Sequence, residues 1–333
     1  MSVIRQDPTT KEWVIIATER AKRPDQFKRN HSPTNLPPYQ PSCPFCPGNE
    51  VLTPSEILRL PSTEQASWAV RVIPNKFSAL GGTGEATRRE RGPLFHEMDG
   101  IGSHEVIIEA PIHNQRMALM KDHEVETILK ACQMRYEILE KDPHLKSIII
   151  FKNHGEHAGT SLEHPHMQLV ATPVAPLMIR RKYEVAIAHY DDTGRCLYCD
   201  LVEAELEAKV RMLFETDGFV VFHPYASRLP FETWIAPRRM QPSFSQVSSD
   251  DLSELAAVLR RILHALDVSL NNPHFNLVIH SARVGDHQQE YYLWHIQILP
   301  RLTTIAGFEL GSGIFINTML PEESAKFLRK YCP

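Results

Sequence analysis

HPHMQLVATP, residues 164–173, and LWHIQILPRL, residues 293–302, are the two stretches on which the fold turns. Each is an aliphatic run carrying a histidine and a glutamine two apart: His166 with Gln168, and His295 with Gln297. Residues i and i+2 share one face of a strand, so each pair reads as the polar face of a short strand. Working upstream from both, the same succession appears. KSIIIFKN and FNLVIHSA are short strand candidates. Before them lie two helical faces at i, i+3, i+4, i+7 spacing. One carries Val125, Ile128, Leu129, Cys132, Tyr136 and Leu139, the other Leu252, Leu255, Ala256, Leu259, Ile262, Leu263 and Leu266. Further upstream are strands closing on Ala-Pro, HEVIIEAPIH and FETWIAPRRM. Before these come strands ending in a proline turn, AVRVIPNKFSAL and FVVFHPYASRLP, and at the head two Cys-x-x-Cys pairs, CPFC and CLYC.

Matching features in one order, with Pro111 and Pro237 at similar distances before His166 and His295, imply a duplicated chain. Two units are expected, residues 1–188 and 189–333, meeting in the polar stretch HYDDTGR. The strand, strand, helix, strand, strand order predicts antiparallel sheets with helices on one side, an α+β architecture. The proline-rich residues 29–48 and the Gly-, Arg- and Glu-rich residues 81–103 read as loops.

The chain has 333 residues, 42% hydrophobic and 23% charged, with a net charge of −4. That is room for two ordinary domains. No apolar run approaches the roughly 18–20 residues that span a bilayer. The start, MSVIRQDPTTKEW, lacks a basic-then-apolar signal architecture, so a cytoplasmic enzyme without a membrane partner is expected. No basic run or face points to nucleic acid. A small anionic ligand held by a few placed cations stays open. Cys-x-x-Cys pairs in such a chain are more often metal ligands or redox dithiols than disulfides. CPFCPGNE sits among prolines rather than at a strand-to-helix junction, which disfavours the redox reading.

A lone histidine on an apolar strand is usually a core residue. HPHMQ differs because His164 and His166, two apart on a strand, project to one face. Pro165 and Pro173 mark a broken or edge ladder. Just upstream, KNHGEHAGTSLE is a loop able to offer N–H groups and hydroxyls to a phosphate.

With Gly159 and Ser161 before it, HPHMQ resembles the active-site run of the galactose-1-phosphate uridylyltransferases, a duplicated branch of the histidine-triad superfamily. The resemblance extends over nearly the whole chain, through RQDPTTKEWVIIATERAKRP, VRVIPNKFSAL and GFELGSGIFIN. It implies two tandem histidine-triad-like domains and a ping-pong reaction. A histidine displaces a sugar 1-phosphate from a nucleotide sugar, holds the nucleoside monophosphate as a phosphoramidate, and passes it to a second acceptor. Neutral imidazole suits this because one hard displacement becomes two easier ones.

The resemblance makes His166 the nucleophile and Gln168 the partner of the phosphoryl oxygens. It gives Gly159, Ser161 and Asn153 to the phosphates, Asn75 to the nucleoside, Arg20 and Arg23 to the phosphates, and Glu309 to sugar hydroxyls. Glu309 would serve the partner subunit's site in a homodimer. Met167, on the opposite face of the strand, is left to packing. Cys43, Cys46, His113 and His164 match the family's zinc site, the N/S set that Zn²⁺ prefers. In the second half Cys196 and Cys199 remain, but Met240 and Leu293 stand where imidazoles belong. Glu184, His280 and His295 would supply only part of an alternative iron site. One zinc and no second nucleophile are expected. UDP-glucose with galactose 1-phosphate is the leading substrate pair. The alternatives are phosphorolysis of ADP-sugars or dinucleoside polyphosphates with inorganic phosphate, and a sensor without turnover, which retention of both His166 and Gln168 disfavours.

Overall fold

The computed structural model describes residues 2–18, 27, 36–62 and 68–332. Its strands run β1 (Val3–Gln6), β2 (Trp13–Ile16), β3 (Leu58–Pro61), β4 (Trp68–Pro74), β5 (Arg89–Glu90), β6 (His96–Glu97), β7 (Ser103–Ile108) and β8 (Ser147–His154). They continue with β9 (His166–Thr172), β10 (Met212–Glu215), β11 (Phe219–Phe222), β12 (Thr233–Pro237), β13 (Phe275–His280), β14 (His295–Pro300) and β15 (Phe315–Asn317). The helices are α1 (Asp122–Leu139), α2 (Leu177–Thr193), α3 (Leu197–Ala208), α4 (Ser249–Leu270), α5 (Gly307–Ser312) and α6 (Pro321–Leu328).

Ten strands make one antiparallel sheet in the order β10-β11-β12-β14-β13-β8-β9-β7-β4-β3. Outward from its centre the first half contributes β8, β9, β7, β4, β3 and the second β13, β14, β12, β11, β10. The repeat in the sequence is therefore a repeat of strand order. The two halves share one sheet rather than forming two: β8 pairs with β13, with Asn276 opposite Asn153. Left apart, each would expose a row of unpaired N–H and C=O groups, and pairing the two edges satisfies both.

One face of the sheet carries the main core. The apolar faces of α1 and α4 meet each other and the aliphatic side chains of both half-sheets, among them Val72, Ile107, Leu169, Val221, Ile235 and Ile296. Each such fully buried side chain stabilises the fold by roughly 1.5–3 kcal/mol. Ser248 starts α4 by accepting the Asp251 N–H, satisfying one of the helix's orphan donors.

The opposite face is covered differently in the two halves, and this difference shapes the site. Over the first half lies the loop with Cys43, Phe45 and Cys46, packed on Trp68, Val106 and Ile108. Over the second lie α2 and α3, with Tyr183, Ala186 and Tyr198 against Val220, Phe222 and Trp234. Packing thus groups α2, on the N-terminal side of the expected join, with the strands of the C-terminal half. Most of the stretch 189–195, where the join is expected, is the last turn of α2 and its cap, Gly194, at φ 68°. Residues 81–103 are not wholly irregular either, since β5 and β6 pair into a short ribbon. The termini are tied together where β15 joins the β1–β2 hairpin, parallel to β2. No helix among the described residues is long and apolar enough to cross a membrane.

Candidate active site

Beside the start of β9, Cys43, Cys46, His113 and His164 bring their ligand atoms within 4.8 Å of one another. The Cys46 sulfur lies 3.6 Å from His113 Nδ1 and 3.7 Å from His164 Nδ1, and Cys43 Sγ lies 3.7 Å from His164 Nδ1. Two ligand atoms on a tetrahedral ion at sulfur and nitrogen bond lengths would be about 3.5 Å apart. All four residues are buried, and His164 Nε2–H donates to the Ala110 carbonyl at 2.8 Å, which keeps Nδ1 as the lone-pair nitrogen. A metal-bound imidazole is usually steered by such a bond. Burial also holds His164 neutral, its pKa lowered to about 4. The residues fit a metal ion, and the set could hold one.

The strand starts one step later than the motif suggests. β9 begins at His166, because Pro165 has no N–H to give to the ladder. His164 therefore precedes the strand and turns into the Cys/His set, while His166 lies on the sheet face opposite the main core. The metal-competent set and His166 are nonetheless joined, since His166 Nδ1–H donates to the His164 carbonyl at 2.9 Å. That bond fixes the tautomer and leaves Nε2 with its lone pair outward. Burial lowers the His166 pKa to about 4, with the carbonyl bond working in the other direction, so the ring is neutral near pH 7. Beneath the strand, Lys152 Nζ donates to Glu109 at 2.5 Å and reaches the His166 carbonyl at 3.5 Å. Met167, on the far face, is core and touches the Cys132 sulfur at 3.9 Å.

Gln168 is oriented by a residue that the sequence reading missed. The Ala79 N–H donates to His104 Nδ1 at 3.2 Å, which puts the ring proton on Nε2. His104 Nε2–H then donates to Gln168 Oε1 at 2.8 Å, turning the amide's NH₂ away from it. Asn75 closes the group, its backbone N–H on the His104 carbonyl at 2.8 Å and its side-chain nitrogen 3.0 Å from His104 Nε2 and 3.5 Å from Gln168 Oε1. His104 lies diagonally from Gln168 across β7 and β9, since Val106 is the residue opposite. The only signal for it was a polar residue at the edge of an apolar strand.

Asn153, His166 and Gln168 share the sheet face opposite the main core, by the alternation of β8 and β9. The loop after β8 carries Gly159 at φ 90° and the exposed Ser161 beside them. Arg20 and Arg23 lie outside the described residues. Glu309 sits on α5, where its carboxylate accepts the Ala306 N–H at 3.1 Å, a helix-start bond.

The second half repeats the frame with different surroundings. His295 Nδ1 bonds the Leu293 carbonyl at 3.1 Å, as His166 bonds His164. Yet His295 is only 1% exposed, stacked on Trp234 at 4.5 Å and His280 at 4.8 Å. Trp234 stands opposite Gln297, the place Val106 holds opposite Gln168. Lys182 Nζ, buried on α2, lies 3.4 Å from His295 Nε2, the nitrogen that His166 keeps free of a side-chain partner among the described residues. Gln297 spends its NH₂ on Glu232 at 2.6 Å and its carbonyl on His280 at 3.0 Å. The partial iron set is not assembled, because Glu184 points outward, 54% exposed and 3.5 Å from Arg180. Cys199 Sγ meets Met240 Sδ at 3.5 Å, in one apolar cluster with Cys196 and Leu293. Among the described residues the Cys43–Cys46–His113–His164 set is the one His, Cys or carboxylate group able to hold a metal.

The chain is a duplicated antiparallel sheet with a neutral histidine on one half, a stacked, lysine-capped copy on the other and a Cys/His set behind the first. The family model for the N-terminal domain of galactose-1-phosphate uridyl transferase matches residues 1–176, and a domain of unknown function, DUF4921, matches residues 102–329. An ADP-glucose phosphorylase of Arabidopsis thaliana is 34% identical, over 98% of this chain and 92% of its own length. A galactose-1-phosphate uridylyltransferase of Thermotoga maritima is 27% identical over 99% and 98%. The crystal structure of an ADP-glucose phosphorylase from Arabidopsis thaliana with bound ADP-glucose superposes with a TM-score of 0.84, at 31% identity, covering 99% of each chain. The chain belongs to the galactose-1-phosphate uridylyltransferase family.

Proposed function

We propose that the chain transfers a nucleoside monophosphate from a nucleotide sugar to a phosphate acceptor through a covalent adduct on His166. The observation that carries this reading is the His166 ring itself: neutral, pinned through Nδ1 to the His164 carbonyl, with Nε2 directed outward. In the first step Nε2 attacks the α-phosphorus and the bond to the sugar 1-phosphate breaks, so that group leaves with its bridging oxygen. In the second, an oxygen of the acceptor phosphate attacks the same phosphorus and the imidazole leaves. Gln168, held by His104, offers its NH₂ to the non-bridging oxygens as charge builds on them, where one preorganised donor is worth roughly 10²–10³-fold. Asn153, Gly159 and Ser161 complete the phosphate cradle in this reading, Asn75 and the two arginines at 20 and 23 hold the nucleotide, and Glu309 reads sugar hydroxyls across a dimer. Zinc in the Cys43–Cys46–His113–His164 set would be structural: four protein ligands leave no open position, and the ion would pin the proline-rich loop to the strand start.

Two donor and acceptor pairs compete. UDP-glucose with galactose 1-phosphate follows from the motif resemblance. An ADP-sugar with inorganic phosphate is favoured by the higher identity to the ADP-glucose phosphorylase, 34% against 27%. The test is a panel of UDP- and ADP-sugars, each incubated with galactose 1-phosphate or with inorganic phosphate. Release of ADP from ADP-glucose only when phosphate is present identifies the phosphorylase. Exchange between UDP-glucose and galactose 1-phosphate identifies the uridylyltransferase.

A further inference from the structure

The second half reaches the site of the first through an amide at the seam. Asn276 on β13 stands opposite Asn153 on β8, at the seam where the half-sheets join. Its side-chain nitrogen lies 2.8 Å from the Ala158 carbonyl and 2.8 Å from Asn153 Oδ1. A backbone carbonyl only accepts, so the Asn276 atom facing it is the NH₂ group. The second proton of that group then goes to Asn153, whose facing atom must be its oxygen. Asn153 is thereby forced to turn its own NH₂ the other way, toward the loop, where it lies 3.9 Å from the point a Cβ on Gly159 would occupy.

The same strand end carries the loop. The His157 N–H donates to His274 Nδ1 at 3.0 Å, and the two rings lie 4.9 Å apart. Gly155, at φ 81°, sits so close that a Cβ there would come within 2.2 Å of the His274 ring. Only glycine fits both that conformation and that approach.

We propose that Asn276, in the C-terminal half, is a positioning residue for the nucleophile's site, fixing the Asn153 amide as a donor toward the phosphoryl group. The proposal rests on the reading of this site as a nucleotidyl-transfer centre. It also gives the seam between the half-sheets a role in catalysis: the acceptor or donor character of one residue in the first half is set by a residue of the second. Asn276→Asp reverses the arrangement. A carboxylate cannot donate, so Asn153 rotates to give its NH₂ to Asp and presents its oxygen to the anion.

A double-mutant cycle tests this, using Asn276→Asp, Asn153→Ala and the pair. It is read on the single-turnover rate of adduct formation with ADP-glucose and UDP-glucose, and separately on the affinity for ADP and UDP without turnover. Asn276→Asp should slow adduct formation roughly 10²-fold when Asn153 is present, the scale of losing one preorganised donor. With Asn153 already alanine it should slow it less than about threefold, because residues acting as a unit are not additive. Asn276→Ala, which frees the Asn153 amide without reversing it, should lose less than Asn276→Asp and keeps the test open if the aspartate variant fails to fold. Equal losses from Asn276→Asp in both backgrounds would mean that it acts on the fold alone, and would overturn the proposal. No adduct in the unmutated protein with either donor would instead overturn the functional reading, and the affinity cycle would then decide on Asn276. Failure to bind either nucleotide would overturn both.

Discussion

Replacing Cys43 by serine removes one of four converging metal ligands, and its consequences can be worked out from the structure. Three close S···N distances of 3.6–3.7 Å define the set, and Cys43 supplies one of them, to His164. Structural zinc contributes roughly 10–16 kcal/mol to the folding of small zinc domains. This chain has a large independent core, so a marked loss of affinity and of thermal stability is expected rather than complete unfolding. The effect should also reach the chemistry. His164 is both a ligand and the residue whose carbonyl holds His166 Nδ1. Weakening a hydrogen bond worth about 1–1.5 kcal/mol frees the ring and its tautomer, which costs roughly tenfold in the adduct rate. Elemental analysis of the purified protein should give close to one zinc per chain, falling well below one for Cys43→Ser. Cys196→Ser should leave the metal content unchanged, because its neighbours Met240 and Leu293 cannot complete a site. Two metals per chain, with one lost on mutating Cys196, would refute this comparison of the two halves.

Three other perturbations address other links in the account. His104→Phe removes the bond that orients Gln168, and should slow adduct formation by roughly 10-fold to 10²-fold, approaching the loss for Gln168→Ala, with little change in melting temperature. Lys182 is buried in the silenced site and its pKa is pushed down by that burial to about 7, so the unfolded chain binds more protons than the folded one between about pH 7 and 10.5. Stability from this residue should therefore rise with pH across that window. The gap corresponds to about 5 kcal/mol, partly offset by the bond to His295, so Lys182→Met should stabilise the protein by roughly 2–4 kcal/mol at pH 7 and flatten the pH dependence. Denaturant unfolding at pH 7 and pH 10 checks this, and a destabilised Lys182→Met at pH 7 would show the ammonium to be a net favourable group. Glu309→Gln should leave adduct formation intact and relax selectivity between hexoses, scored with glucose and galactose nucleotide sugars. An equal loss with every donor would reduce Glu309 to its bond with the Ala306 N–H.

Much of this site was legible in the sequence because its signals are local. His166 and Gln168 sit two apart on one strand, and Cys43 and Cys46 announce themselves by spacing. The helices α1 and α4 were equally plain, since each buries a face at helical period. What escaped depends on contacts across the chain. His104 and Asn276 are single polar residues on strands, and only strand register brings them to Gln168 and Asn153. α2 hid because its helix mixes charge with apolar residues, and its polar end reads as the join between the halves. Lys182 was invisible as the occupant of the silent site because nothing in sequence says that a lysine on a charged helix points inward. The neighbouring Glu184, a more obvious metal ligand, points out. The fusion of two half-sheets into one also follows from edges meeting in space, which no window of sequence displays.

The central claim is that His166 Nε2 takes the nucleotidyl group, and intact-mass measurement tests it most directly. The protein is incubated with ADP-glucose or with UDP-glucose in the absence of acceptor and quenched in alkali, where phosphoramidates survive. The account predicts a mass increase of one adenylyl or one uridylyl group on the unmutated chain. It predicts that the group disappears on adding inorganic phosphate or a sugar 1-phosphate, and that none appears on His166→Asn. The same adduct on His166→Asn, or an adduct mapped to His295, would contradict it.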